Sequence, residues 1–413
     1  MTRRPESAAI IGGGIGGLAA ALALLRAGVD VNVYEQVPTL REVGAGIVLT
    51  PNATRVLRGF GLGEGIERWG AAPDIWRQRR WQDGRTLLLG RVSEMRGPSG
   101  ERLFYCWHRA DLSTMLRDAL PPERVHLGHK LISLKDDGRT VTLDFANGAQ
   151  ARAGLVIGAD GIHSTVREIL LGPERAQFTG CVAYRGLVPS ERLAHLDLPN
   201  EAQLWLGPSK HFVHYPVSAG RFVNFVCLID RDGWTKESWT EPGDPADALA
   251  AYDGWHEQVR AIIGAVEGRD MFVWGLFDRA PLPRWSVGRV TLLGDACHPM
   301  LPFLAQGAAQ AIEDAATLAA VLGEGGDVAE TLKRYEALRL PRTAAIQGTA
   351  RGNKLRNHLP DGPEQQARDA AMAAGEAQWS IGASDWVYHH DAAAAARTGA
   401  LGLPAASLSG TPA

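Results

Sequence analysis

The sequence predicts an α/β protein: a parallel sheet interrupted by an inserted antiparallel sheet and followed by C-terminal helices. Three observations carry that reading. A glycine-rich turn, GGGIGG at Gly12–Gly17, joins an apolar strand-length run to an apolar helix-length run. Two distant segments, GLVIGADG (Gly154–Gly161) and GRVTLLGDA (Gly288–Ala296), repeat the pattern of a buried strand ending in a glycine turn. Between those two lie several strand-length runs rich in aromatic and β-branched residues.

The N-terminus reads as β-turn-α-β. Ala8–Ile11 forms the first strand, Leu18–Ala27 a helix closed by Gly28, and Val29–Tyr34 a second strand that delivers Glu35. Arg3 and Arg4 before the uncharged run Ala8–Leu25 superficially resemble an export signal or a membrane span. The glycines in its first half, and the strand that follows at once, predict a folded core element instead. GRVTLLGDA feeds a helix from about Ala308 to Leu322. The insertion contributes strands at Cys181–Val188, Gln203–Leu206, His211–Val217 and Phe222–Leu228, with a hairpin turn at Ser218–Gly220. The expected domains are a discontinuous nucleotide-binding unit (1–75, 100–178 and 275–345), a β-sheet unit (76–99 and 179–274), and a helical segment with a frayed low-complexity tail (346–413).

With 413 residues, 45% hydrophobic and 22% charged, the chain is an ordinary globular protein, and its net charge of -3 offers no basic footprint for nucleic acid or an anionic membrane. Cys106, Cys181, Cys227 and Cys297 have no paired or metal-ligand spacing and are expected to be reduced, buried thiols in a cytoplasmic protein that is a monomer or homodimer and holds no metal.

Three segments carry chemistry. In Gly12-x-Gly14-x-x-Gly17, the first glycine permits a tight turn, the second lets backbone approach a pyrophosphate, and the third lets the helix close on the sheet. The helix N-terminus then offers free N–H groups to phosphate, and Glu35 can accept from both ribose hydroxyls. This motif alone does not choose between NAD and FAD. GADGIHSTVR (Gly158–Arg167) places Asp160 after a strand, and GDACHPMLPFLAQGAAQ places Asp295 after another, with Gly307 and Ala308 opening a helix beside Pro302.

The order of these motifs, with REVGAGIVLTPNATRVL (Arg41–Leu57) and WHRADL (Trp107–Leu112), resembles the single-component flavoprotein aromatic hydroxylases, nearly to residue 390. That group includes salicylate hydroxylase, 3-hydroxybenzoate 6-hydroxylase and 6-hydroxynicotinate 3-monooxygenase. The resemblance implies a Rossmann-like, glutathione-reductase-like FAD domain. NADH or NADPH would reduce FAD, O2 would add to give a flavin C4a-hydroperoxide, and one oxygen would pass to a small hydroxylated aromatic acid. It implies that Gly12, Gly14, Gly17 and Glu35 hold ADP, and that Arg41, Arg109, Asp160, Asp295, Pro302, Gly307 and Ala308 contact the rest of the cofactor.

The same resemblance points to KHFVHYPV for catalysis. Strand alternation puts His211, Val213 and Tyr215 on one face and Phe212, His214 and Pro216 on the other. His211 is expected as base and Tyr215 as orienter, with His214 the alternative if a bulge swaps the faces. Tyr105, Tyr184 and Pro302 are further substrate-side candidates, with Arg185 and Trp205 on neighbouring segments; His298 is read as structural. The resemblance is not uniform. Ile47 or Val48 stands where hydroxynicotinate enzymes carry histidine, EAQLWL lacks their cysteine, and Pro302 replaces the glutamine of the 3-hydroxybenzoate enzymes. Two other readings stay open: the same chemistry on a larger phenazine or polyketide ring, and an NAD-dependent dehydrogenase, which leaves the later motifs without a role.

Overall fold

The computed structural model describes residues 5–39, 45–234, 241–376 and 381–404. Arg41 lies outside them.

Five parallel strands form the nucleotide-binding sheet, in the order Val290–Leu292, Leu155–Gly158, Ser7–Ile11, Asp30–Tyr34 and Val125–His126. The three fragments expected to share a sheet therefore do so. Ile10, Val31, Val33 and Leu155 are wholly buried, as strands covered on both faces require. The suspect run from Ala8 is strand, turn and the helix Ile15–Arg26, whose Leu18, Ala19 and Ala20 are fully buried. Small residues let this helix approach its neighbour Gly307–Gly323 closely. A Cβ on Gly16 would lie 2.8 Å from Leu293 and 3.1 Å from Ala311. Among the described residues, no helix is long and apolar enough to cross a membrane.

The second sheet has seven strands, ordered Met271–Asp278, Gln177–Pro189, Phe222–Asp230, Lys210–Val217, Glu201–Gly207, Ile75–Arg80 and Thr86–Gly90. It is not purely antiparallel as expected: Glu201–Gly207 pairs parallel to Ile75–Arg80, where chain arriving from the nucleotide-binding part joins the insertion. Ser218 and Ala219 adopt left-handed φ of 52° and 55°, the hairpin geometry that matches strand twist. All four cysteines are free and buried.

Two features at the C-terminal end differ from expectation. A single helix, Val328–Asn357, runs through the boundary placed at residue 346. The tail is not wholly frayed either: Ala392–Thr398 is a helix N-capped by Asp391, and its Ala396 is buried against Gly307–Gly323. Alanines read as low complexity because they carry no pattern, yet they are the residues that fit a close helix contact. Residues 405–413 lie outside the described set.

Candidate active site

A continuous cavity of about 910 Å³ runs from the turn Gly13–Gly16 to the wall of the inserted sheet that carries His211, Val213 and Tyr215. That size is near the upper end for a cofactor or ligand site.

At the nucleotide end the glycines divide the labour. Gly12 has φ +110°, and a Cβ there would fall 2.4 Å from the Ala159 carbonyl oxygen. Gly17 is equally constrained, since its Cβ would lie 2.0 Å from the Gly12 oxygen. Both serve packing between strand, turn and helix. Gly14, the N-cap of Ile15–Arg26, has no protein atom within 4 Å of an added Cβ and faces the cavity. Glu35 also lines it, with its carboxylate accepting from Gly13 N–H at 2.6 Å and Val37 N–H at 3.0 Å. A carboxylate has about four acceptor sites, so ribose hydroxyls can share it. A bare helix N-terminus, open room at Gly14 and an oriented acid fit the ADP part of FAD.

The middle of the cavity is built by the two later motifs. Asp160 lines it, but its carboxylate also accepts from Ser164 Oγ and Val166 N–H and so caps the helix Thr165–Leu171. Arg167 ties the motifs together, donating to the Ile162 and Ala296 carbonyls at 2.7 and 3.0 Å. Asp295 is accessible from the cavity yet surrounded by protein, and the loss of bulk water raises its pKa. Pro302 opens a short 3-10 turn, after which Gln306, Gly307 and Ala308 bring the N-terminus of the helix Gly307–Gly323 to the cavity wall. Arg109, at the start of Arg109–Asp118, lines the same space.

His211 and Tyr215 stand on the cavity side of their strand. His211 is 2% exposed; burial, and then the neighbouring His358, push its pKa well below that of a free imidazole. Its Nδ1 lies 2.7 Å from Nε2 of His358. Tyr215 is raised by burial and keeps its proton, with Arg185 partly opposing the shift. Arg185 reaches the Gly46 carbonyl at 3.3 Å and lies over Trp274 at 4.9 Å.

Three substrate-side candidates fall elsewhere. His214 faces away from the cavity toward Gln258 and Arg79, and burial lowers its pKa to about 3. No bulge interrupts its pairing with the flanking strands, so alternation holds. Tyr184 points out for the same reason: its neighbour Arg185 takes the cavity face, while the Tyr184 hydroxyl accepts from Arg231 at 3.1 Å. Tyr105 is packed behind the wall, its hydroxyl donating to Glu67 at 2.9 Å and its pKa pushed up to about 12 by burial and then by that carboxylate. Trp205 is buried in the outer core beside His256.

The sequence reading missed several contributors. Gly46 N–H donates to Asn224 Oδ1 at 2.7 Å, docking the segment after Arg41 on the inserted sheet. Thr50, Asn52 and Gln306 form a closed hydrogen-bond set beneath the loop at Pro302. Asn353, Arg356, Trp386 and Tyr388 close the cavity from the C-terminal helices, where the sequence carries no motif.

Fold and cavity together define a dinucleotide-binding protein whose cavity continues into a second compartment against the inserted sheet, where His211, Tyr215 and Arg185 stand among apolar side chains. The comparisons specify this further: the family described as FAD binding domain matches residues 6–350. A 3-amino-4-hydroxybenzoate 2-monooxygenase of Streptomyces platensis is 42% identical over 93% of this chain and 96% of its own. The 6-hydroxynicotinate 3-monooxygenase of Bordetella bronchiseptica is 38% identical over 86% and 93%. A crystal structure of Klebsiella pneumoniae HpxO complexed with FAD and uric acid superposes with a TM-score of 0.81 at 30% identity, covering 89% of this chain and 93% of that one. This chain belongs to the FAD-binding family of flavoprotein aromatic monooxygenases. Its cofactor is FAD, and the dehydrogenase reading is set aside.

Proposed function

We propose that this monooxygenase uses NADH or NADPH and O2 to hydroxylate a small aromatic acid bearing a ring hydroxyl, of the 3-amino-4-hydroxybenzoate type. The single observation that supports this most is the continuity of the cavity from the Gly14 end to the face of His211 and Tyr215. Cofactor and ring then share one enclosed space, as oxygen transfer requires. The identity to 3-amino-4-hydroxybenzoate 2-monooxygenases over nearly the whole chain favours that substrate type over larger rings.

When bound, FAD supplies the redox chemistry with O2. In the reading proposed here, Gly14 and the helix behind it receive the pyrophosphate, Glu35 the ribose, and Arg109, Asp160 and Asp295 the middle of the cofactor. The start of the helix Gly307–Gly323 stabilises negative charge near the ring system. Held neutral by burial, His211 can accept the substrate hydroxyl proton at its Nε2, making the ring electron-rich. Tyr215, held protonated, orients the ring by donating a hydrogen bond. Arg185 offers a cation on the same wall for the acid group. Val213, Leu204 and Leu88 keep this end dry, which protects a reactive oxygen donor from water.

The test is NADH consumption by the FAD-loaded protein across 3-amino-4-hydroxybenzoate, 6-hydroxynicotinate, salicylate and 3-hydroxybenzoate, with product and peroxide measured together. The first should give the most hydroxylated product and the least peroxide. Peroxide alone with all four would overturn the substrate reading.

A further inference from the structure

His211 does not stand alone. Its Nδ1 is 2.7 Å from Nε2 of His358, and Nδ1 of His358 is 2.9 Å from Oδ1 of Asp230. The second contact is not aligned as a linear hydrogen bond, and it becomes an ion pair when His358 is protonated. The chain of groups leads from the cavity through fully enclosed imidazoles to a carboxylate whose side chain is one-third exposed. Phe303, from the loop after Pro302, packs on both imidazoles at 5.4 and 5.9 Å. The Tyr252 hydroxyl fixes the strand by donating to the His211 carbonyl at 2.6 Å.

We propose that His358 and Asp230 are positioning residues that hold the proton displaced by His211, so that the positive charge rests on His358 and not beside the substrate. This rests on His211 being the base. In the resting arrangement Nδ1 of His211 carries the proton and donates to His358, leaving Nε2 for the cavity. When the substrate O–H bond breaks, its proton joins His211 Nε2. The Nδ1–H bond of His211 then breaks as an Nε2–H bond forms on His358. The resulting imidazolium is met by the Asp230 carboxylate and by the C-terminal end of the helix Val328–Asn357, which His358 caps. The transfers reverse when the product regains its hydroxyl, so no net proton is lost along the chain.

The surrounding charges suit that role. Burial works against the charge on Asp230, but His358 and Lys354, the latter 3.4 Å away, hold its carboxyl below the usual value. Lys354 is the opposing cation, partly offset by the same carboxylate. Cys181 and Tyr252, packed nearby, are raised by burial and stay neutral, and Arg356 lines the cavity. Direct protonation of His211 would instead place an imidazolium in a dry wall where, among the described residues, no carboxylate acts on it, the arrangement that burial penalises most.

Two measurements on the FAD-loaded full chain test this. The first is a pH titration of imidazole 15N resonances, assigned with His211→Asn and His358→Gln. Expected is a proton on Nδ1 of His211 at neutral pH, with the next proton appearing on His358. Asp230→Asn should move that uptake to lower pH, since it removes the counter-charge. Uptake of the additional proton by His211 instead of His358, or an Asp230→Asn titration identical to wild type, overturns the proposal. The second is the pH profile of coupled hydroxylation. His358→Gln should lower plateau kcat by about tenfold or more and move the acidic limb to lower pH, with KM and FAD affinity unchanged. Asp230→Glu should restore what Asp230→Asn loses. A lower plateau with an unmoved limb would show a merely structural role. If His211→Asn leaves coupled hydroxylation intact, the base reading itself fails, which the His358 variant alone would not show.

Discussion

His298 and His358 each sit buried beside a carboxylate, and their surroundings separate structure from chemistry. His298 meets Asp314 at 2.6 Å, and Arg339 neutralises both Asp314 and Glu313, which Arg342 also binds. Every member of that cluster is sealed, with side chains 0 or 1% exposed. The chain His211–His358–Asp230 has similar spacing but opens to the cavity at one end and to the surface at the other. A closed network fixes two helices against the turn Gly294–Ala296. An open one can exchange a proton. Distance alone does not distinguish them; access does.

Removing one partner of the sealed cluster should produce the largest change. Arg339→Met leaves Glu313 and Asp314 without their shared cation, and breaking a buried pair costs about 3–5 kcal/mol. Thermal unfolding should show a large loss of Tm or no folded protein, and a Tm near wild type would break the contrast. His211→Asn should have the opposite profile: a roughly hundredfold fall in kcat for hydroxylation with a small change in Tm, read by comparing steady-state kinetics with calorimetry. Equal kinetic loss in His298→Asn, without a fall in Tm, would erase the distinction.

A smaller effect is expected at the nucleotide turn. Gly14→Ala adds a methyl group into space that no protein atom occupies, whereas Gly17→Ala collides with the Gly12 carbonyl. The first should weaken FAD binding about tenfold, the equivalent of about 1.4 kcal/mol, without changing the Tm of the apoprotein. The second should lower that Tm, as fluorimetry of both variants can show.

The last effect is graded with pH. His211, His214 and His390 have lowered pKa values, the last two at about 3 and about 4, and the carboxyl of Asp314 is held down by His298 and Arg339 despite its burial. The unfolded chain therefore binds more protons than the folded one as pH falls. The histidine part of the stability is complete above pH ~6.5 and is lost toward the folded values. Tm should fall steadily from pH 6.5 to 4, and a flat profile would contradict these shifts.

Much of this was legible because it is local. GGGIGG between an apolar strand and helix, followed by Glu35, encodes its turn within a short stretch of chain, and the face assignment of His211 and Tyr215 needed only strand alternation. What stayed hidden was set by long-range packing. Tyr105 and Tyr184 have the same chemistry as Tyr215, but sheet register turned one toward Arg231 and packing set the other beside Glu67. His358 carries no motif at all; it matters because a 30-residue helix happens to end against His211. Arg356, Trp386 and Tyr388 reach the cavity the same way.

The most direct test is the ratio of hydroxylated product to NADH consumed on 3-amino-4-hydroxybenzoate, for wild type, His211→Asn and His214→Asn. The account predicts efficient coupling in wild type and in His214→Asn, and in His211→Asn NADH oxidation that ends in peroxide. Equal loss of product in both variants, or no hydroxylated product from the wild type, would contradict it.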